Sequence, residues 1–204
     1  FIKDADGPID LSCRIVSDKK NLPIVNGYIK VNYASVTLNE IFKKIGDLSI
    51  NVLVTDNHFD IKNIEGKIKN GILKVFGSFD FKDLKVENID LDIKTLTNNG
   101  IYAIIPFLKI PPSSIFSLPG GGRSASGEIK LDIKVIGNQE GYTLKGTSIL
   151  ENAHFTYPPQ AKDTKGVRLV FLDPAYWDLN VNAGSNTWYE NNFADVLVEG
   201  GLHL

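Results

Sequence analysis

Two hundred and four residues, 43% hydrophobic and 23% charged, describe a folded chain with room for one extended all-β domain or two small ones, and exclude disorder. A formal net charge of −2, from 22 basic and 24 acidic residues, supplies no global field for phosphates and argues against nucleic acid as a partner. Cys13 is the single cysteine, which excludes an internal disulfide and a cysteine-built zinc site; no apolar run reaches the ~20 residues of a membrane helix, Ile101 to Leu108 being cut by Pro106.

The chain begins without a methionine, at Phe1-Ile2-Lys3, and stops within the alternation Gly201-Leu202-His203-Leu204, so it is expected to be an internal segment of something longer. The lack of a signal peptide then says nothing about secretion. After Gly27, Ile29 and Val31 alternate with Tyr28 and Lys30. Thr37 with Glu40 three residues on is a capping-box spacing; Ile41, Phe42 and Ile45 share a helical face that Gly46 can end, so a short helix is expected over residues 38–45. Leu48, Ile50, Val52 and Val54 then alternate as a strand, as do Leu73, Val75, Phe79 and Phe81. Leu84 and Val86 sit on even positions whereas Ile89, Leu91 and Ile93 sit on odd ones, which makes Asn88 an extra residue at a bulge or tight turn.

Residues 100–123 carry Pro106, Pro111, Pro112 and Pro119 among Ile101, Ile104, Phe107, Ile110, Ile115 and Phe116, and close on three glycines. No long element survives that many prolines. This insert is expected to form a helical turn and an apolar loop lying over the sheet, joining parts 1–99 and 124–204 of one elongated unit. Beyond it, Ile129, Leu131, Ile133 and Val135 alternate without error against Glu128, Lys130, Asp132 and Lys134. Ile149, Phe155, Leu179, Val181, Val196 and Val198 are assigned to the same inward face. Asn70-Gly71, Asn99-Gly100, Gly137-Asn138 and Gly184-Ser185 supply turns. Clean alternation belongs to antiparallel sheets with one solvated face, whereas covered parallel sheets read as continuous apolar runs, so the expected fold is all-β and an α/β fold is disfavoured.

The pattern glycine, any residue, aliphatic, lysine or histidine, aliphatic recurs at Gly27, Gly71, Gly127 and Gly200. Four copies argue for an array of similar strands, and their irregular spacing argues against a solenoid of fixed coil length. No reaction centre emerges. His58, His154 and His203 are scattered without metal-ligand or triad spacing. Gly120-Gly121-Gly122-Arg123-Ser124 lacks the Lys-Ser/Thr of a phosphate loop, and Ser126 stands where a serine-hydrolase elbow needs glycine. Asp90 and Asp92 share the wet face of a strand, the usual place for charges. Trp177, Trp188 and Tyr189 could stack on sugars, which leaves a glycan-binding module as a weaker alternative.

Trp177-Asp178-Leu179-Asn180-Val181-Asn182-Ala183-Gly184-Ser185-Asn186-Thr187-Trp188, followed by Val196-Leu197-Val198-Glu199-Gly200-Gly201-Leu202-His203-Leu204, resembles a recurrent passage of TamB-type proteins, in which Asn-x-Trp precedes an alternating strand ending in Gly-x-Leu-x-aliphatic. Tyr142 to Pro158, with Gly146 between two strands and Asn152-Ala153 before an aromatic residue and a proline, is similar to a strand pair of the same family. Ser126-Gly127-Glu128-Ile129 and Ile64 to Ser78 are similar to repeats of the wider AsmA-like superfamily.

This resemblance implies a bent, taco-shaped, mostly antiparallel sheet with an apolar concave side. It further implies a segment of a long protein anchored in the inner membrane of a two-membrane envelope, crossing the periplasm and conducting phospholipid to the outer membrane. Implied partners are phospholipid acyl chains, flanking segments of the same chain and an outer-membrane barrel protein. No cofactor and no enzymatic activity are expected. Alternation alone favours a dry sandwich; the resemblance favours an open groove whose floor is the inward set named above. The alternative is a structural array that offers sheet edges to client strands.

Overall fold

Alternating segments become strands because only a pleated backbone sends their apolar and polar side chains to opposite sides. The computed structural model describes residues 2–16, 23–38, 44–82, 85–105, 124–156, 175–190 and 195–203. They form one large, mostly antiparallel, open sheet. Its first half holds β1 (Ile2–Asp6), β2 (Ile9–Val16), β3 (Ile24–Leu38), β4 (Lys44–Thr55), β5 (His58–Ile68), β6 (Gly71–Lys82) and β7 (Lys85–Thr95). Its second half holds β8 (Ile101–Ile105), β9 (Ser124–Asn138), β10 (Gly141–Thr156), β11 (Ala175–Ala183), β12 (Trp188–Glu190), β13 (Asp195–Leu197) and β14 (Gly200–His203). No helix occurs among the described residues.

Neighbours run β1-β3-β4-β5-β6-β7-β9-β10-β11-β14 across the sheet. Three long strands each serve two shorter ones placed end to end. β3 pairs with β1 and β2, β9 with β7 and β8, and β10 with β11 and β12. Gly7, at φ 132°, separates β1 from β2. The two ladders from β10 to β11 and β12 are the parallel ones; the rest are antiparallel.

Register slips between Val31 and Ala34, Gly46 and Ser49, Ile61 and Ile64, Phe79 and Phe81, and Glu151 and His154. Tyr33, Asp47 and Asn152 take left-handed φ values of 54°, 48° and 46° at three of these slips. Each extra residue resets the parity of its strand, so the next apolar side chain returns to the face it left. Asn88 is part of one such bulge: it and Glu87 oppose Asp80 between the pairs Phe81–Val86 and Phe79–Ile89.

Two expectations change. The described ends of the stretch 38–45 are strand: Leu38 closes β3, while Lys44 and Ile45 open β4 opposite Thr37 and Val36. Residues 39–43 lie outside the described residues. Ile45, assigned to a helical face, instead packs on the sheet near Ile68 and Ile101, because pairing with β3 overrides a local capping signal. In the proline-rich insert, Ile101–Ile105 is a strand laid on β9 and no loop over the sheet; residues 106–123 lie outside the described residues. β7 and β9 pair directly, so parts 1–99 and 124–204 share one sheet.

Candidate functional site

Cross-strand partners project to the same side, so the register identifies what each face carries. One row runs Leu11, Ile29, Val52, Ile61, Gly77, Leu91, Val135, Leu144, Trp177. The next runs Ile9, Val31, Ile50, Ile64, Val75, Ile93, Ile133, Gly146, Leu179. Each crosses the sheet from β2 to β11 without a charged side chain, and the Trp177 indole at the β11 end of the first row is the one hydrogen-bonding group in either. At ~4.8 Å per strand a row is roughly 40 Å long. Toward one end Phe59, Phe79 and Phe81 continue this face, the first two stacked with centroids 4.6 Å apart. Toward the other lie Leu48, Leu73, Ile129, Leu131 and Val181.

Among the inward positions expected from the sequence whose side chains are described, all but one fall on this face, Val196 and Val198 arriving with β12 and β13. Phe155 pairs in register with Ala125 and Tyr189. Ile149 is the correction. It opposes Lys130 on the polar side, while Leu150 opposes Ile129 on the apolar side. Adjacent Ile149 and Leu150 leave parity open in the sequence, and the β9 register decides it. Alternation also missed Phe59, Ile61 and Ile64, which flank the β5 bulge, and Tyr142 and Leu144, whose row continues through Gly146 and Ser148. Ile101 and Ala103, read as loop, are among the most buried side chains, at 1% and 2% exposure.

Three clusters cover the face: Val52, Val54 and Ile61; Ile89, Val135, Tyr142, Leu144 and Leu179; and Ile68, Ile101, Ala103 and Ile129. No second layer lies over them among the described residues, so the sheet shields its own side chains. Gly77 and Gly146 help it do so. With φ at 127° and 142°, both hold a backbone shape closed to side chains, and a Cβ on either would overlap a carbonyl oxygen of the next strand, Asp90 or Asp132. Their bare positions bring flanking rows together, as where Leu91 packs against the cluster containing Ile61. Burial is uneven. Val75, Ile93 and Ile133, consecutive in the middle of the sheet, stay partly exposed. On β2, Ile9 and Leu11 are 68% and 63% exposed.

The opposite face is ionic. Lys134 meets Asp90 at 2.9 Å, Lys94 meets Asp132 at 3.1 Å, Lys130 meets Glu151 at 2.7 Å and Lys145 meets Asp178 at 3.3 Å, stitching β7, β9, β10 and β11. The Asp90 carboxylate, through its hydrogen bond and its charge, pushes the Lys134 ammonium above its ordinary pKa. Asp90 is therefore a lattice point of this ladder, and Asp92 lies opposite Lys134 in the register of the same face. At the hairpin end, Asn88 donates to Asp80 at 3.0 Å and His58 lies 2.7 Å away; these bonds hold the Asp80 carboxyl below the usual range. The Tyr142 hydroxyl donates to the Val86 carbonyl at 2.9 Å, and the fully buried Thr187 hydroxyl donates to the Leu150 carbonyl at 2.9 Å, so neither polar group is stranded. No metal-holding group of His, Cys, Asp or Glu occurs among the described residues. Trp177 pairs with Leu144 on the apolar face and Trp188 with His154 on the polar one, so the two rings do not share a stacking surface.

Comparison with models of known protein families, with curated proteins and with solved structures returns no match.

Proposed function

We propose that this chain is part of a groove that shields acyl chains and conducts phospholipid. What carries the reading is the partly exposed centre of the apolar face: among the described residues Val75, Ile93 and Ile133 sit mid-sheet under no second layer, where a sealed sandwich would bury them most deeply. Burial is worth ~0.8 kcal/mol per methylene, so a tail of about sixteen carbons meets a cost of order 10 kcal/mol in water that a continuous apolar floor removes. Between β2 and β10 the floor's rows offer no side-chain hydrogen bonds to hold a tail at one place, which suits sliding. The TamB and AsmA-like resemblance supplies the setting: a periplasmic segment of an inner-membrane-anchored protein, with an outer-membrane barrel as a partner and no enzymatic step.

Photocrosslinking residues at position 133 and, on the reverse face, at position 132 test this. Labelled phospholipid should add to the first and not the second. Equal labelling, or none, sinks the proposal. A second reading rests on the exposed strand β2, whose outer side has no partner among the described residues: it can take up a client strand by edge addition. A groove that copurifies without lipid but binds an alternating peptide along β2 would favour it.

A further inference from the structure

Lys44 and Lys67 lie on the polar side of β4 and β5, and Lys69 follows in the turn that ends the β5–β6 hairpin. β8 closes on that tip: Ile101 packs with Ile68, and Gly100 passes so near Gly71 that a Cβ there would overlap its backbone. Between them opens a cavity of about 310 Å³ lined by Lys44, Gly46, Lys67, Ile68, Lys69 and Tyr102. Gly46 faces Lys67 across the ladder and has nothing within 4 Å of where its Cβ would stand, so the space beneath the lysines is open. Lys69 Nζ sits 3.3 Å from the centre of the Tyr102 ring.

Five lysines of the sheet, at positions 82, 94, 130, 134 and 145, each meet a carboxylate across a ladder or hairpin. Lys44, Lys67 and Lys69 meet none among the described residues; Asp47 and Glu65 line a neighbouring cavity that shares Lys67. In a chain of net charge −2 this is a local cluster and no part of a general field. Ile68 joins the cavity to the end of the apolar face, where Ile45, Ile101 and Ile129 pack.

We propose that this lysine-rimmed cavity recognises phosphate. Ammonium groups bind phosphate as mobile point charges, and the volume stands at the small end of ligand pockets, room for a head group and not for tails. The phosphate belongs either to the head of an amphiphile whose tails pass round the tip of the β5–β6 hairpin to the apolar face, which rests on the groove reading, or to a free phosphate compound, which does not.

The test compares the wild-type chain with the variant K44Q/K67Q/K69Q. Its probes are dihexanoyl phosphatidic acid, uncharged dihexanoylglycerol and inorganic phosphate, followed by amide chemical shifts. Wild type should bind the phosphatidic acid roughly tenfold more tightly than the uncharged lipid, an advantage that shrinks in salt and vanishes in the variant while dihexanoylglycerol binding persists. Inorganic phosphate matching the lipid in affinity assigns the site to free phosphate compounds. If neither lipid binds but phosphate shifts residues 67 to 69, the groove reading fails and this one stands. A variant that keeps the full preference, or a wild type indifferent to both phosphate probes, overturns it; Lys67→Gln alone should lose part of the preference if the triple variant does not fold.

Discussion

Gly77→Ala is the sharpest test of how the rows of the apolar face approach one another. At φ 127° an alanine is held in a strained region, costing about 1–3 kcal/mol by itself. Its Cβ would also overlap the Asp90 carbonyl oxygen, so β7 must shift and draw Leu91 away from the cluster containing Ile61. Together these effects should destabilise the fold by about 3 kcal/mol or more, a fall in Tm of roughly 6–12 °C for a chain of this length. Gly46→Ala is the comparison: its Cβ meets nothing within 4 Å, so it should be neutral or stabilising by up to about 1 kcal/mol. Scanning calorimetry and urea denaturation of both variants decide the matter. If Gly77→Ala melts with wild type, or Gly46→Ala loses as much, the account of close row packing through bare glycine positions is wrong.

Leu144→Ala removes a side chain packed with Ile89, Val135, Tyr142 and Leu179 and should cost about 2–4 kcal/mol, whereas Leu53→Ala, at 46% exposure on the other face, should stay within about 0.5 kcal/mol; urea midpoints at equal slope check both. For Asp80 the folded carboxyl is held below its unfolded value, so its contribution is present above about pH 4 and disappears as pH falls through the lower, folded value. Urea midpoints measured from pH 6 to pH 2 should therefore drop more steeply at the acid end for wild type than for Asp80→Asn; parallel curves would remove Asp80 as a source of acid sensitivity.

Much of the sheet was legible because its polar and apolar sides are chemically separate. Ile129 to Val135 alternate without interruption and lie as strand β9 with that parity, and the phase change before Ile89 announced the bulge at Asn88. Other bulges were hidden. The bulge at Asp47, in a left-handed conformation, lies between Ile45 and Leu48, and the capping-box spacing of Thr37 and Glu40 with Ile41, Phe42 and Ile45 points to a helix where the described residues Lys44 and Ile45 open β4. Ile149 was misplaced for a related reason: two adjacent aliphatics carry no parity of their own, and a partner strand must choose between them. β8 was obscured by Pro106, which follows it and does not prevent its five residues from pairing with β9. The lysine cluster left no trace in the sequence, since Tyr102 reaches Lys69 only through the fold.

The ion pairs that join β7, β9, β10 and β11 all lie on the polar side, while the side chains of the apolar rows meet one another through dispersion and water exclusion. Dissolved sulfate weakens the first kind of force and strengthens the second. Such a salt would loosen the rivets on one side of the wall while pressing the other side's side chains closer together, so the two faces of a single layer answer to ionic strength in opposite directions.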